Sequence, residues 1–321
     1  MACAEGSSFM ALIWPIGGGK GGTGKSFITG NLGVTLASLG QRTLIMDVDL
    51  GAPNLHTMIG LTEPARSLSD FINKETATLA ETVDETHIPQ LYLISGARNN
   101  LDIANLAHEQ KMKVMRAIAK LPYDYILLDL GAGTAFNTID FFMISDSGVF
   151  ITTPEPTAIE NIYRLIRSVY FRKIRQVLRL QHFRVLADEA GKRNRDATVN
   201  NPEILLEIIK EMDPEQGEQL EAALRSFRFQ LIVNQVRRQD NPNLGALICK
   251  IIERHLGLRI AFAGNICFDD RIHDAVCQKV SYLRKYPYTQ AATDIREVCK
   301  NLLSPENAPA LKAGRETAMP S

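Results

Sequence analysis

The chain has 321 residues, of which 45% are hydrophobic and 22% are charged, so it can bury a core of ordinary size. Lysine plus arginine and aspartate plus glutamate number 36 each, and this balance excludes a global field that would draw the protein to nucleic acid or an acidic membrane. The five cysteines are scattered and form no C-x-x-C pair, which argues against a disulfide framework and against a metal cluster held by one chain.

The sequence also contains no evident targeting or membrane-spanning segment. The first ten residues, MACAEGSSFM, lack the basic region and apolar stretch of a secretory signal. The apolar segment Phe141–Ile151 contains Asp146 and is too short to span a bilayer. We therefore expect a cytoplasmic protein with reduced thiols.

Short apolar runs alternate with helical patterns, which is typical of an α/β fold with a mainly parallel sheet. Continuous apolar runs such as YILLD indicate strands that helices cover on both faces. The predicted strands are Ala11–Ile16, Arg42–Asp47, Leu91–Ser95, Tyr125–Asp129, Gly148–Thr153, Gln230–Asn234 and Arg259–Gly264. The predicted helices are Lys25–Leu39, Ala107–Lys120, Phe136–Ser145, Leu244–His255, Asp270–Gln278 and Thr289–Leu303.

Three places interrupt this regular pattern. Pro15 cannot donate a hydrogen bond to a neighbouring strand, so we expect a bulge or an early strand end there. Residues 172–228, approximately, form a helical insertion with segregated charge. Residues 304–321 are rich in proline, alanine and polar side chains, which predicts a disordered tail. We expect one domain over residues 1–303.

The charge of the long helical segment changes sign along its length. Residues 164–195 carry ten basic and two acidic side chains, whereas residues 196–221 carry eight acidic side chains and one lysine. One interpretation is a docking surface for DNA, anionic lipid or an acidic partner. The other is a helical hairpin whose basic arm packs against its acidic arm. The near cancellation of charge favours the hairpin.

Residues 19–26, GKGGTGKS, fit the phosphate-loop pattern G-x-x-x-x-G-K-[ST] between a predicted strand and a predicted helix. Glycines allow backbone N–H groups to point at phosphate oxygens, and the helix adds its positive N-terminal end. We expect Lys25 to reach the β- and γ-phosphates and the Ser26 hydroxyl to ligate Mg²⁺. The predicted nucleotide contacts in this segment are Gly19, Gly21, Gly22, Thr23, Gly24, Lys25, Ser26 and Phe27.

Carboxylates follow two of the other predicted strands. Asp47 and Asp49 share one face where the second strand ends, because side chains alternate along a strand. Asp129 ends the apolar run that begins at Tyr125, as expected of a Walker B strand. Acidic residues beside a magnesium–phosphate site can order metal-bound water or the attacking water.

A second lysine, Lys20, lies inside the loop, although a plain phosphate loop does not need it. The string KGGTGKS and the later Asp47-Val-Asp49 resemble the deviant Walker A ATPases of the MinD/ParA family, which are SIMIBI-type P-loop NTPases. The resemblance implies that Lys20 crosses an ATP-bound dimer interface to the partner's phosphates. It also implies that Asp49 positions the attacking water and that Asp47 supports the magnesium region, with Ser26 and Asp129 as the other metal-site residues.

Two further motifs are similar to the FlhG-like branch of this family, which regulates flagellar number, and a third position resembles the family as a whole. The second switch would be Gly131-Ala-Gly133, where glycines would let a backbone N–H swing toward the γ-phosphate. The string TTPEP implies a polar role for Glu155 near the nucleotide or the dimer interface. Asn234 occupies the base-recognition position, and the Gln-Val-Arg that follows is not the guanine-reading Lys-x-Asp, so adenine is favoured.

The leading functional hypothesis is a slow, partner-stimulated ATPase that closes as a homodimer across ATP and Mg²⁺ and acts as a spatial-organisation switch. Its protein partner is unidentified. A membrane or DNA surface is an open alternative that the tail does not support, because it does not resemble the family's amphipathic membrane-targeting helix.

Two other functions compete with this hypothesis. A metallocluster-assembly or metal-insertion ATPase, similar to NifH and Mrp, is the alternative; the cysteine spacing disfavours it, and no metal cluster is expected. A non-hydrolysing scaffold conflicts with a complete set of reactive residues, which are Lys20, Lys25, Ser26, Asp49 and Asp129.

Overall fold

The computed structural model describes residues 11–49, 51, 53–61, 64–96, 106–177 and 202–304. The strands of this part are β1 (Leu12–Gly17), β2 (Thr43–Asp47), β3 (Asp84–Glu85), β4 (Leu91–Ile94), β5 (Tyr125–Asp129), β6 (Ser147–Thr152), β7 (Arg228–Val236) and β8 (Ile260–Cys267). They form one eight-stranded sheet in the order β3-β4-β2-β5-β1-β6-β7-β8. Strand β3 is antiparallel to β4, and the other neighbouring strands are parallel.

The helices of the described part connect these strands and include every helix predicted above, with ends shifted by at most three residues. Several shorter elements were not predicted, because a single helical turn is too short to produce a periodic pattern. One of them is a 3₁₀ turn at Leu79–Thr82. The α-helices are α1 (Lys25–Ser38), α2 (Leu55–Met58), α3 (Leu68–Ile72), α4 (His108–Ile118), α5 (Phe136–Phe142), α6 (Pro156–Val177), α7 (Pro202–Met212), α8 (Pro214–Arg225), α9 (Leu244–Leu256), α10 (Arg271–Cys277), α11 (Tyr282–Lys285) and α12 (Gln290–Leu302).

Helices cover both faces of the sheet, as the continuous apolar strands predicted. On β2, Leu44 and Met46 belong to one core cluster, whereas Ile45 between them belongs to the other. Helices α4, α5, α6, α8 and α9 contribute buried side chains to the first cluster, and α1, α10, α11 and α12 contribute to the second. The α/β fold with a mainly parallel sheet is therefore confirmed.

The sheet topology brings distant segments of the chain to one edge. Strand β1 lies between β5 and β6, and β2 lies on the far side of β5. Because these strands are parallel, the loops that follow them emerge at the same edge. Ligands of open α/β sheets bind in the crevice outside the carboxyl ends of the strands, so this edge is where a site is expected.

The expected bulge or early strand end at Pro15 is wrong. Strand β1 continues to Gly17, and Pro15 pairs in regular register with Leu128 of β5. Leu12 N and Ile16 O bond to the β5 side, so the alternation of a parallel strand directs the Pro15 nitrogen toward β6. Pairing of β1 with β6 begins at Ile16, and the missing N–H therefore costs no hydrogen bond to β5.

Strand β8 also runs three residues beyond its predicted end. Gly264 was interpreted as the end of the strand, but it has a φ of 142° at a register shift between β7 and β8. A glycine within a strand marks a bulge as readily as an end, and pairing resumes beyond it.

In the described part of the charged segment, Arg172 and Lys173 of the basic arm pair with Asp140 and Asp146, which lie outside the acidic arm, so the hairpin interpretation stays a prediction. Ile174 of α6 and Leu220 of α8 lie in the same core cluster. Within the acidic arm, Lys210 Nζ of α7 lies 2.6 Å from Glu221 Oε2 of α8. Residues 178–201 and 305–321 lie outside the described residues, so the limits of the insertion and the disordered tail stay predictions.

A buried ionic cluster joins α4, α5 and α6. Asp140 of α5 pairs with Lys111 of α4, and both side chains are more than nine-tenths buried. The other carboxylate oxygen of Asp140 lies 2.6 Å from an Arg172 Nη2 atom of α6. Removing one partner of a buried pair is costly because the remaining charge stays out of water without compensation.

We predict that Asp140→Ala lowers the free energy of unfolding by about 3 kcal/mol or more, because Lys111 is left buried without its carboxylate. Chemical denaturation followed by circular dichroism measures this change. Glu160→Ala is the control, since it removes an exposed pair with Arg164 and should change stability by less than about 1 kcal/mol. Adding Lys111→Met to Asp140→Ala should recover part of the loss, and an absence of recovery would rule out the buried charge as the cause.

Candidate functional site

The loop between β1 and α1 uses glycine where other groups approach closely. Gly24, at φ 89°, caps α1, and a Cβ added there would lie 2.3 Å from Asn234 Nδ2. A Cβ at Gly19 would lie 2.2 Å from the carbonyl carbon of Asn161 on α6. Any side chain at either position would displace its neighbour, so the loop path depends on glycine.

The other side of the loop is open. Gly21 and Gly22 are exposed, and added Cβ atoms would meet nothing within 4 Å. Thr23 is buried, with its Oγ1 3.4 Å from the Lys20 carbonyl oxygen, so its side chain stabilises the loop. Helix α1 begins at Lys25 directly behind, and its N-terminal end favours an anion on the open side.

Lys25 lies buried at the start of α1 among acidic groups. Burial lowers the pKa of its ammonium group, and the carboxylates of Asp129 and Asp49 act in the opposite direction. Thr29 of the same helix donates through Oγ1 to Asp129 Oδ1 at 3.4 Å, and the Ser26 hydroxyl next to Lys25 lowers the pKa of Asp129. A lysine charge held inside the loop in this way is suited to bind phosphate oxygens.

Asp47 and Asp129 are register neighbours at the ends of β2 and β5, and both are almost fully buried. Burial and the nearby Asp129 charge raise the pKa of Asp47 to about 8, against the lowering effect of three backbone N–H groups. Those donors belong to Asp49, Asn54 and Leu55, at 2.9–3.1 Å. Burial also raises the pKa of Asp129, to about 6, while the Ser26 hydroxyl and Lys25 favour its charged form.

These residues fit a magnesium ion. Carboxylate and hydroxyl oxygens are the hard ligands that Mg²⁺ binds in phosphate sites. Two buried carboxylates that hinder each other's ionisation are stabilised by a divalent cation nearby. Ser26 and Asp129 are therefore positioned as candidate ligands, and Asp47 supports the region by ordering the backbone at Asn54 and Leu55.

The side chain of Asp49 lies against the segment predicted to be the second switch, residues 131–133. A Cβ added to Gly131 would lie 3.4 Å from the Asp49 carboxyl carbon, so the backbone after β5 lies directly against this side chain. Gly133 N donates to Gly18 O at 3.1 Å, which ties the same segment to the phosphate loop. Beside Asp49 and Gly131 lies a cleft of about 210 Å³ that also contacts Asn137 and Thr138.

Lys20 lies on the surface, whereas Lys25 of the same loop is buried. Its Nζ is 3.0 Å from Glu155 Oε2 and 3.5 Å from Thr157 Oγ1, and the Lys20 and Glu155 side chains are 45% and 61% exposed. The sequence pointed to Glu155 through the TTPEP motif but contained no signal for Thr157. The pair is weak because both charges are solvated.

The end of β7 docks onto the phosphate loop. Asn234 Nδ2 donates to Thr23 O at 2.9 Å, and the buried Asn234 Oδ1 has no hydrogen-bond partner within the described part of the chain. Gln235, with φ 60°, donates through Nε2 to Gly22 O at 3.0 Å. Sequence reasoning missed Gln235, whose only signal was its place after Asn234.

Phe27 is a weaker candidate than its neighbours. Its ring is buried in the core and lies 5.4 Å from the ring of Tyr282, centroid to centroid. The side chain of this α1 residue therefore packs in the core, and a nucleotide contact by Phe27 stays a prediction for its backbone.

Two cysteines that a metal cluster would need are separated by the sheet. Cys249 belongs to the core cluster on one face, and Cys299 belongs to the cluster on the other. Burial raises the pKa of both thiols to about 12, which disfavours the thiolate form that binds metals.

Comparison with known proteins agrees with this geometry. The family model for the CobQ/CobB/MinD/ParA nucleotide binding domain matches residues 15–282. The antiactivator FleN of Pseudomonas aeruginosa is 22% identical over 302 residues, which cover 92% of this chain and 88% of FleN. The septum site-determining protein MinD of Synechocystis is 31% identical over 149 residues, which cover 46% of this chain and 55% of that protein.

A solved structure shares the fold over nearly the whole chain. The septum site-determining protein MinD of Pyrococcus horikoshii, in complex with Mg-ADP, superposes with a TM-score of 0.63 at 18% identity and covers 92% of this chain and 97% of its own. The match of the family model over most of the chain, together with the loop geometry, decides the assignment: the chain belongs to the CobQ/CobB/MinD/ParA family of nucleotide-binding domains.

Proposed function

We propose that the protein is an ATPase that dimerises across two bound ATP molecules and serves as a spatial-organisation switch. The observation that carries this proposal is the contrast between two lysines of one loop. Lys25 is buried among the carboxylates of its own site, whereas Lys20 is exposed and held by a solvated ion pair. Leaving that pair costs little, so Lys20 is available to a partner's phosphates.

Hydrolysis of ATP to ADP and phosphate then uses a small set of groups. Lys25 and the loop backbone hold the β- and γ-phosphates, and Asp49 orients the attacking water. Mg²⁺, when bound through Ser26 near Asp129 and Asp47, supplies positive charge that offsets the charge on the phosphates. The contact of Asp49 with Gly131 supports a link between the catalytic carboxylate and the second switch.

The end of β7 supports adenine as the base. The buried Asn234 Oδ1 is an acceptor without a partner, and its Nδ2 is fixed by the bond to Thr23. Adenine presents an amino donor at position 6, whereas guanine presents a carbonyl acceptor there. An unsatisfied buried acceptor therefore favours adenine, because leaving it unpaired is costly.

The names of two relatives refer to septum placement and to an antiactivator, and they support a cellular role as a spatial-organisation switch. We infer a cytoplasmic homodimer whose ATP-bound form binds a protein partner that reads its state. In the described part of the chain, no helix is both long and apolar enough to cross a membrane.

The two lysines should separate binding from dimerisation. Lys25→Ala should weaken ATP binding by two orders of magnitude or so, because a buried charge contact is lost, as calorimetry would measure. Lys20→Ala should bind ATP normally and fail to dimerise in light scattering. Lys120→Ala, at another exposed lysine, is the control. A normal ATP-dependent dimer of Lys20→Ala would contradict the proposed function.

Asp49→Ala should bind ATP and accumulate as the dimer while its kcat falls by about 10²–10⁴-fold, because the attacking water loses its orienting group. Phosphate release measures turnover, and light scattering measures the dimer. Asp124→Ala, a carboxylate at the opposite end of β5, is the matched control. Hydrolysis at the wild-type rate would exclude Asp49 from the reaction.

A further inference from the structure

The carboxyl ends of β7 and β8 carry an aromatic and cationic pair that the reaction described above does not use. The guanidinium carbon of Arg237 lies 3.8 Å from the centroid of the Phe268 ring. Phe268 N donates to Val236 O at 2.9 Å, which ties the start of the loop after β8 to the end of β7. The Arg237 backbone is held in turn, since its N–H donates to Asp240 Oδ2 at 2.7 Å.

An irregularity in strand pairing precedes this pair along β7 and β8 and includes the two β7 residues that contact the phosphate loop. Val233 pairs with Asn265 and Val236 pairs with Cys267, so two residues of β7 face one residue of β8. Such a bulge bends a strand and redirects its side chains. The two residues on the β7 side are Asn234 and Gln235, whose side-chain amides donate hydrogen bonds to carbonyls of the loop. Arg237 lies two positions after Gln235 in the chain, and Phe268 directly follows Cys267, the partner of Val236.

Packing within the chain does not account for Phe268. Its residue surface is 37% exposed, and it belongs to neither core cluster of the described residues. A large ring kept partly in water at a strand end loses much of the free energy that its burial would provide. Arg237 over one face leaves the remainder of the ring accessible, and a flat π-system is the ligand surface that such a ring binds.

We propose that Phe268 is a base-contact residue on which the adenine of ATP stacks, and that Arg237 is a positioning residue that holds its ring. Asn234 then reads the edge of the base while Phe268 contacts its face. This inference rests on the proposed ATP function and adds a residue to the same site. It predicts that Phe268 contributes to the affinity for nucleoside phosphates and not to the affinity for phosphate chains alone.

The test compares ADP with inorganic tripolyphosphate by calorimetry on the full chain. Phe268→Leu should weaken ADP binding about tenfold, a size typical of base–aromatic stacking, and leave tripolyphosphate binding unchanged. Tyr288→Leu, which changes a ring that is 97% exposed elsewhere, is the control and should change neither. Arg237→Met should weaken ADP binding less, and its effect should vanish in the Phe268→Leu background.

A second variant keeps the aromatic surface and reports on contact. Phe268→Trp should retain ADP affinity, and its emission should be quenched by ADP, whereas the single native tryptophan, Trp14, is buried in the core. Equal ADP affinity of wild type and Phe268→Leu overturns the stacking role and leaves the ATPase proposal intact. A parallel loss of tripolyphosphate binding also overturns it, because the damage then lies in the loop. Wild-type protein that binds no ADP would contradict the proposed function itself.

Discussion

The carboxyl edge of the sheet holds three ionisable groups out of water, and their mutual electrostatics organise the rest of the site. Asp47 and Asp129 are neighbours in register and nearly fully buried, and Lys25 is buried beside them. Burial raises the pKa of both carboxyl groups and lowers that of the lysine, so each ionised form depends on its neighbours. An arrangement of this kind is costly in a free protein and is relieved when phosphate and a divalent cation bind.

The carboxyl groups of this edge also contact the segments that would change with the nucleotide. Asp47 accepts hydrogen bonds from the backbone N–H groups of Asn54 and Leu55 and so holds the segment after β2. Asp49 lies against Gly131, where the chain leaves β5. A change of charge at the phosphates can therefore reach both segments through direct contacts. Lys20 differs because its solvated pair with Glu155 leaves it accessible to a second molecule.

The part of the site proposed to hold the base relies on uncharged hydrogen bonds and ring packing instead of buried charge. Asn234 and Gln235 reach the phosphate loop through amide hydrogen bonds, which are neutral and directional. Further along the ends of β7 and β8, the Arg237 guanidinium packs over the Phe268 ring. In the proposed function, phosphate binding would depend on buried charge, whereas base selection would depend on hydrogen-bond pattern and shape. These two parts contact each other at the loop carbonyls of Gly22 and Thr23.

The sequence by itself determined whatever depends on neighbours along the chain. The phosphate loop, the strand ends at Asp47 and Asp129, and the alternation of strands and helices are local patterns, and the structure reproduces them with ends shifted by a few residues. Only the tertiary structure decided which side of β1 lacks a hydrogen bond at Pro15, and which residue holds Lys20 from 135 positions away. It also decided the buried cluster around Asp140 and the docking of Gln235. Such contacts depend on strand order and register, and these are set by the packing of the whole sheet rather than by any short segment.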